Sequence, residues 1–403
     1  MKNSNNLNLE RSVEIGILEI RRHVSILYTF SKICKTKNTN VTIFTTKELF
    51  SQLKLYLKDT KNYDIILKED NESFYSFLKR VESICNEKID LLFINTIHET
   101  VSDLLCYINF RPKSKMIVIV HHANAWFKPR LVFKMNHIIR TMDSNLSSAL
   151  INIIFPRFDA INVIYAPVKD YIIKNTNYTK EIFTLPTSIF DENRRIATNQ
   201  MDKKLRVVIP GLIQEHRKDY KMMIPVFEKL FKRFNEYLIL SILGMPVGQY
   251  GKFIYTKFTH MNENRYNVVI FDRFVPDETF DEILAQSDIV LAPIRINSKA
   301  DNEIEEQYGI TVGSGNVFDA IQYAKPIIVP AEFNMLEDLK SSTLKYSNST
   351  ELENIITELI SNPEKLKHLK QEALVNSRKF SLEKLQKYFE ENVLHWIKPG
   401  LRI

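Results

Sequence analysis

A small turn directly ahead of an apolar helical run is the segment best suited to bind an anion. Gly313-Ser314-Gly315-Asn316 leads into the run Val317–Tyr323. The start of a helix presents unpaired N–H groups and partial positive charge, and glycine lets the backbone approach a ligand closely. We therefore expect Ser314, Gly315 and Asn316 to bind a diphosphate. An ordinary Ser or Asn helix cap explains the same residues.

A pair of cations follows the first predicted strand of the second half of the chain. The apolar stretch Leu205–Ile209 leads to Gly211, and Arg217 and Lys218 lie shortly after it. An Arg side chain binds phosphate oxygens through two parallel hydrogen bonds, and Lys adds a point charge. A solvated turn also explains the pair, but cations are unfavourable at the start of a helix. This favours a role for Gly211, Arg217 and Lys218 in binding diphosphate.

Three further residues are candidates for the nucleoside half of such a ligand. Asp319 lies in the first turn of the predicted helix, where its carboxylate can accept hydrogen bonds from a ribose diol or simply favour the helix dipole. Gly244 and Phe274 each follow a predicted strand, and we expect them beside the ribose or the nucleobase. It is the series of strand ends, more than any single motif, that predicts a nucleotide site.

Histidines follow two predicted strands of the first half. His121, His122 and Asn124 come directly after the strand Met116–Val120, and His98 follows an earlier strand. An imidazole can take the proton of an acceptor hydroxyl or donate a hydrogen bond to a donor sugar. His121 is the preferred catalytic candidate because it lies at the strand terminus. A polar strand end without function is the alternative, and surface polarity explains His98 equally well.

The elements that must hold these residues together alternate between short β-rich runs and longer helical stretches, which is typical of parallel α/β sheets. The strands predicted in the first half are Val13–Ile20, Val41–Thr45, Asp64–Leu67, Leu91–Asn95, Met116–Val120, Ala160–Tyr165 and Ile182–Leu185. Those of the second half are Leu205–Ile209, Tyr237–Leu243, Asn267–Phe271, Ile289–Ala292 and Pro326–Val329. The tail Glu351–Trp396 has the pattern of helices only.

The length of 403 residues exceeds one ordinary core, so we expect two domains. The predicted domains are residues 1–195 and 205–380, with the polar segment 196–204 as the linker. A helix at about 381–403 is a candidate to pack back on the first domain. The predicted fold is α/β, with two Rossmann-like, doubly wound parallel sheets facing across a cleft. Ligands in such folds bind at the carboxyl ends of the strands.

The second half, from Leu205 to about Phe380, resembles GT-B glycosyltransferases, in particular the retaining class that takes nucleotide sugars (group 1, or family 4-like). The segments that carry the resemblance are the strand leading to Gly211 with its cations, the strand ending at Gly244, Ser287–Ile294 and Ser314–Ile328. The resemblance implies that residues 1–195 bind the acceptor and residues 205–380 bind the donor. It also implies that the cations and the helix-start amides bind diphosphate, that Asp319 binds ribose, and that His121 is the cleft histidine beside the transferred sugar.

One position departs from the pattern of that class. The family shows two glutamates eight positions apart, and here Asp319 replaces the second while Thr311 stands in the place of the first. Glu306 and Tyr308 are the substitutes that we expect near the donor sugar, with Glu306 as a second catalytic candidate. The departure leaves retaining or inverting stereochemistry open.

The segment Trp126–Arg140 interleaves aromatic and aliphatic residues with cations, and residues 1–200 carry a net charge of +8 against +7 for the whole chain. A basic amphipathic helix of this kind suits an anionic membrane surface, whereas packing of its apolar stripe on the sheet is the alternative. No zinc spacing or RNA-recognition signature indicates nucleic acid as a partner. Three scattered cysteines and the absence of a signal segment predict a cytoplasmic protein, peripheral to the inner face of the membrane if that helix touches lipid.

These observations predict a glycosyltransferase that moves a sugar from a nucleoside-diphosphate sugar, of UDP or GDP type, to a hydroxyl of a glycan or lipid-linked acceptor. No tightly bound cofactor and no metal are expected, because helix-start amides and cations can stabilise the leaving diphosphate. A GT-B sugar-nucleotide epimerase is one alternative. A non-catalytic basic protein that binds membranes or nucleic acid is another.

Overall fold

The computed structural model describes residues 12–21, 23–98, 100–128, 138–192, 204–299 and 304–398. Within these residues a first sheet has seven strands, all parallel, in the order β3-β2-β1-β4-β5-β6-β7. The strands are β1 Val13–Leu18, β2 Thr39–Thr46, β3 Asp64–Lys68, β4 Leu91–Ile94, β5 Lys115–Val120, β6 Ala160–Val163 and β7 Glu181–Phe183. The helices that connect them are α1 Val24–Cys34, α2 Lys47–Tyr56, α3 Phe74–Lys88, α4 Val101–Ile108, α5 Ala123–Phe127, α6 Ile138–Ile154 and α7 Ala166–Asn175.

A second sheet has six parallel strands among the described residues, and a short antiparallel hairpin projects beside it. In chain order the strands are β8 Leu205–Pro210, β9 Leu238–Leu243, β10 Val268–Ile270, β11 Ile289–Leu291, the hairpin β12 Asn297–Lys299 and β13 Glu305–Gln307, β14 Ile327–Pro330 and β15 Thr343–Tyr346. The sheet order is β10-β9-β8-β11-β14-β15. The helices are α8 Tyr220–Phe234, α9 Gly248–Glu263, α10 Asp277–Gln286, α11 Gly315–Gln322, α12 Ser349–Ser361, α13 Pro363–Ser377, α14 Leu382–Tyr388 and α15 His395–Ile397.

Short helices of other types complete the described chain. The 3-10 helices are Thr60–Asn62, Phe155–Arg157, Asn235–Tyr237, Glu337–Ser342 and Arg378–Phe380, and Phe389–Leu394 forms a π-helical turn between α14 and α15.

The central strands explain why the sequence folds into two such sheets. All four residues of β4, of β6 and of β14 are buried. In parallel α/β proteins, helices cover both faces of a central strand, so nearly all residues in the sequence of that strand are apolar. The predicted fold class of two doubly wound parallel sheets is confirmed.

Several predicted elements differ from the observed ones. The strand predicted to reach Tyr165 ends at Val163, because Pro167 occupies the first turn of α7 and Tyr165 precedes that helix. The helix α11 starts at Gly315, so Asp319 lies in its second turn and not in its first. The hairpin β12–β13 and the edge strand β15 are not predicted, since the hairpin strands are polar and the short β15 has only two apolar residues.

The C-terminal helices pack on the first sheet. Phe389, Val393 and Leu394 are buried in one cluster with residues of β1, α1 and β4. The side-chain amide of Gln386 donates hydrogen bonds to the carbonyl oxygens of Lys32, at 3.0 Å, and of Lys35, at 2.6 Å. The end of the described chain therefore belongs physically to the first domain. The predicted linker lies outside the described residues except for Lys204.

The proposed membrane segment Trp126–Arg140 is described only at its two ends. Its predicted helix ends at Phe127, and Lys128 already has an extended backbone. Trp126 is buried against Phe155 and Phe158, so this ring belongs to the core of the first domain. Residues 129–137 lie outside the described part. In the described part of the chain, no helix combines the length and the apolar character required to cross a bilayer.

Candidate functional site

The carbonyl oxygen of Pro210, at the end of β8, is the centre of a polar cluster. It accepts hydrogen bonds from Nζ of Lys218 and from Nδ2 of Asn316, the latter at 2.9 Å. Nδ2 of Asn316 also lies 3.4 Å from Oδ2 of Asp319. Because β8 and β11 are neighbours in the sheet, the loop after β8 meets the start of α11 at the carboxyl edge. The fold thus brings together three residues that the sequence analysis selected independently.

Burial perturbs the titration of both charged members of this cluster. Lys218 is 7% exposed, and burial lowers the pKa of its ammonium group to about 7, although the nearby carboxylate of Asp319 partly opposes the shift. Burial likewise raises the pKa of Asp319 to about 6, against the opposing effects of Asn316 and Lys218. Two groups whose charges change close to neutral pH therefore lie side by side, which is typical of functional sites.

The start of α11 is open to a ligand. Ser314 caps the helix by accepting a hydrogen bond from the amide of Asn316 at 3.3 Å. Gly315 is exposed, and a Cβ atom placed on it would meet nothing within 4 Å. A Cβ atom on Gly313 would instead lie 3.0 Å from Cβ of Tyr165, a residue of the first domain. The turn therefore faces the first domain, and the space in front of Gly315 is open.

Glycine is required at two strand ends beside this cluster. Gly211 has a φ of +91°, a conformation that favours glycine. A Cβ atom on Gly244 would overlap the carbonyl oxygen of Gly211, so the ends of β8 and β9 approach closely only because Gly244 carries no side chain. Arg217 is exposed close to this cluster, and Phe274 is 67% exposed in the loop after β10.

On the first domain, His121 is held in one tautomer at the end of β5. Its Nε2 lies 2.9 Å from the carbonyl oxygen of Asn95. A carbonyl only accepts, so Nε2 carries the proton and Nδ1 has the lone pair. The ring stacks on His23 with centroids 5.4 Å apart. Burial lowers the pKa of His121 to about 4, so the imidazole is neutral near pH 7 and suited to hydrogen bonding.

A buried carboxylate at the end of β1, which β4 separates from the strand of His121, escaped the sequence analysis. Glu19 follows β1, is fully buried, and accepts hydrogen bonds from Oγ1 of Thr96 at 2.6 Å and from the amide of Arg21 at 2.7 Å. Burial raises the pKa of Glu19 to about 6. The signal that could have revealed it is an acidic residue inside the apolar run Val13–Ile20, since buried carboxylates require partners.

The second catalytic candidate, Glu306, joins the two domains. Its Oε1 accepts a hydrogen bond from the amide of Ala125 at 3.0 Å, and its Oε2 lies 3.4 Å from the amide of Asn124. Nδ2 of Asn124 in turn donates to the carbonyl oxygen of Glu305 at 2.7 Å. Glu306 is 2% exposed, and burial raises its pKa to about 7. In this conformation the Glu306 carboxylate binds the first turn of α5.

Of the remaining candidates near the donor sugar, two flank the same interdomain contact and one lies in a separate loop. His122 and Tyr308 each form an isolated bridge with Val312, so both flank the segment that joins the domains. His98 is half-buried in the loop between β4 and α4.

A cavity of about 540 Å³ lies between the domains, along α1 on one side and along α10 and α11 on the other. Asp319 lines it, whereas Gly244 and Phe274 are not among its lining residues. Its other lining residues include tyrosines, carboxylates, a lysine and an amide that the sequence analysis did not select, among them Tyr28, Lys32, Tyr56, Asp277, Asp281, Gln322 and Tyr323. Within the described ranges, no cluster of three or more His, Cys, Asp or Glu side chains could hold a metal ion.

No protein-family model matches the sequence, and a search of curated proteins by sequence finds no match. Solved structures do match over nearly the whole chain. A sucrose-phosphate synthase from Thermosynechococcus elongatus is 11% identical with a TM-score of 0.61, covering 96% of this chain and 100% of that one. A UDP-forming α,α-trehalose-phosphate synthase from Burkholderia xenovorans is 11% identical with a TM-score of 0.56, covering 95% and 99%.

A putative UDP-N-acetylglucosamine 2-epimerase from Listeria monocytogenes is also similar, at 12% identity and a TM-score of 0.54, covering 97% of this chain and 98% of that one. Identities this low establish the fold and no finer property. With its two parallel sheets and its cleft between them, the chain has the GT-B fold.

Proposed function

We propose that this protein is a glycosyltransferase that moves a sugar from a nucleoside-diphosphate sugar to a hydroxyl of a glycan or lipid-linked acceptor. One observation carries the proposal. Lys218 and Asn316 both donate to the carbonyl oxygen of Pro210, and Asp319 lies beside Asn316 on the helix that starts at the open position Gly315. This arrangement offers positive charge, the partial positive charge of a helix start and a diol acceptor within one small region.

The diphosphate binds at the start of α11 in this proposal. Amides of the first helical turn and the ammonium of Lys218 contact its oxygens, and the exposed Arg217 reaches it from the loop after β8. Negative charge builds on this group as the bond to the sugar breaks. Donors already fixed at that position stabilise the transition state more than the ground state, which accelerates the transfer.

The nucleoside extends from there into the interdomain cavity. Asp319 lies about one helical turn beyond Gly315 on α11 and lines that cavity. Its carboxylate accepts hydrogen bonds from the ribose diol. This assignment moves the base away from Gly244 and Phe274, which do not line the cavity. Contacts from both domains then surround the donor, so that closure excludes water and limits hydrolysis.

The acceptor side belongs to the first domain. His121 lies at the carboxyl end of β5, where sites form in this kind of sheet. Its neutral imidazole, with the lone pair on Nδ1, can accept a hydrogen bond from the attacking hydroxyl. A pKa of about 4 makes it a modest base, and its main contribution is then to orient the nucleophile.

A sugar-nucleotide epimerase is the second candidate, and one observation favours it. Glu19 and His121, two titratable groups with shifted pKa values, follow nearby strands of the first sheet, and an epimerase needs an acid/base set without an acceptor. Incubation with nucleotide sugars separates the two: an epimerase forms a new sugar nucleotide in the absence of acceptor, whereas a transferase releases the nucleoside diphosphate.

The test of the main proposal is the double variant Arg217→Ala/Lys218→Ala. Calorimetry with UDP and GDP should show binding by the native protein and a loss of at least about 100-fold in the double variant. Lys221→Ala is the matched control, because Lys221 is an exposed lysine nearby that pairs with Glu215. If neither nucleotide binds the native protein, the proposal of a UDP- or GDP-sugar donor is refuted. Salt-sensitive association with anionic vesicles or nucleic acid would then favour a basic binding protein.

A further inference from the structure

The interdomain cavity has an acidic lining where the nucleobase would lie. We propose that this cavity selects guanine, so that the donor is a GDP-sugar; the inference rests on the proposed function. The observation that carries it is Asp281, a half-buried carboxylate of α10 that Tyr323, directly after α11, holds by a hydrogen bond. Both residues line the cavity together with Asp319.

The spacing along α11 sets the order of the ligand's parts. Gly315, Asp319 and Tyr323 follow one another at intervals of four residues, so they lie on one face of the helix at steps of about 6 Å. A nucleoside diphosphate with its phosphates at Gly315 and its ribose at Asp319 therefore brings its base beside Tyr323. The carboxylate of Asp281 is bound to the hydroxyl of that same tyrosine, which puts it within reach of the base.

The carboxylates in this region can only accept hydrogen bonds. The hydroxyl of Tyr323 donates to Oδ1 of Asp281, and the hydroxyl of Tyr56 donates to Oδ2 of Asp277 at 2.5 Å. Asp277 and Asp281 are four residues apart on α10 and thus share one face. An ionised carboxylate has room for about four hydrogen bonds. Each aspartate can therefore keep its tyrosine and still accept further donors from a ligand.

Guanine is the base that matches such a lining. Its Watson–Crick edge presents the N1–H and N2–H donors side by side, which suits the two oxygens of one carboxylate. Uracil presents a single N–H between two carbonyl oxygens, and a carboxylate repels those oxygens. Adenine and cytosine each present one amino group beside an unprotonated ring nitrogen. The O6 and N7 acceptors of guanine can pair with Lys32 or Gln322, which line the same cavity.

The size of the cavity is consistent with a purine, because its volume of about 540 Å³ exceeds that of a nucleoside and falls within the range of small-molecule sites. Sites built to hydrogen-bond a ligand group discriminate strongly against analogues that lack it, since their own polar groups are then left unpaired. The phosphate contacts are common to all nucleoside diphosphates and produce no preference among them. We therefore expect the contacts with the base to produce a preference for GDP.

The experiment compares GDP, UDP, ADP and inosine diphosphate by calorimetry on the native protein. GDP should bind at least about 100-fold more tightly than UDP, and inosine diphosphate, which lacks the 2-amino group, about 10-fold more weakly than GDP. Equal or tighter binding of UDP would overturn the choice of guanine while leaving the proposed function intact. Failure of every nucleotide to bind would instead count against the proposed function.

Two variants assign the selectivity to Asp281. Asp281→Asn should lower the affinity for GDP about 100-fold and the affinity for UDP little, because only guanine uses both carboxylate oxygens as acceptors. Glu278→Gln is the matched control, since Glu278 is an exposed acid of the same helix that does not line the cavity. An equal loss for GDP and UDP in Asp281→Asn, or an unchanged GDP affinity, would refute the role of Asp281.

Discussion

The buried lysine beside the helix start predicts that nucleotide affinity falls as the pH rises above neutrality. In the free protein the pKa of Lys218 is lowered to about 7 by burial. A diphosphate placed against its ammonium group favours the charged form and raises that pKa well above 7. Binding therefore takes up a proton at alkaline pH, and by linkage alkaline pH weakens binding.

The size of this effect follows from the titration of the free lysine. With a pKa of about 7, roughly half of Lys218 is protonated at pH 7 and about 1% at pH 9. If only the charged form binds diphosphate, the affinity falls about 50-fold over this interval, or about 2.3 kcal/mol. The ligand contributes little to this change, because a terminal phosphate with a pKa near 6 is ionised throughout the interval.

Calorimetry with the tightest-binding nucleoside diphosphate at pH 7, 8 and 9 measures this dependence. Repeating each titration in buffers of different ionisation enthalpy should reveal uptake of close to one proton at pH 9. Lys218→Met is the control: it fills a similar volume without charge, and its weaker binding should vary little over the same range. An affinity of the native protein that is constant from pH 7 to 9, or an equally steep fall in Lys218→Met, would show that the lysine does not contact the phosphates.

Three other perturbations test the surroundings of the site. Glu306→Gln should change the pH dependence of unfolding, because the pKa of Glu306 is about 7 in the folded state against an ordinary 4.5. The native carboxyl therefore stabilises the fold most below pH 4.5, and the free energy of unfolding falls by up to about 3 kcal/mol as the pH rises through 7. Thermal unfolding should detect this fall in the native protein and not in the variant. Gly244→Ala should destabilise the second domain by about 1–3 kcal/mol in denaturant titrations, because its Cβ overlaps the carbonyl of Gly211, whereas Gly248→Ala, strained only by its φ of +65°, should cost less. His121→Phe should lower kcat of sugar transfer at least about 100-fold with little change in nucleotide affinity, and an unaltered kcat would remove the histidine from the mechanism.

The local sequence predicts most of the elements of this protein. The strand Leu91–Ile94 can be predicted from its sequence, because a strand that is buried on both faces needs a continuous apolar run. The helix start at Ser314 can also be predicted from the sequence, because an N-cap serine bonds to a backbone amide only two residues away. Residues at strand ends can be proposed for one site, since the carboxyl ends of parallel strands share an edge of the sheet.

Three features depend on residues far apart in the chain and were therefore not predictable. The contact of Glu306 with the start of α5 joins residues 181 and 182 positions apart. The buried carboxylate of Glu19 accepts a hydrogen bond from Thr96, 77 positions away. The cavity lining combines α1 with α10 and α11, which meet only because the domains face each other.

The sequence by itself determined the two α/β halves and the residues that could bind a nucleotide sugar, because periodicity and capping act over a few residues. Only the tertiary structure decided that Glu306 joins the domains and that carboxylates line the cavity between them. It also decided that Lys218 is buried with a pKa near neutrality. These properties come from desolvation and from contacts across the domain boundary, which depend on the packing of distant segments and leave no local pattern.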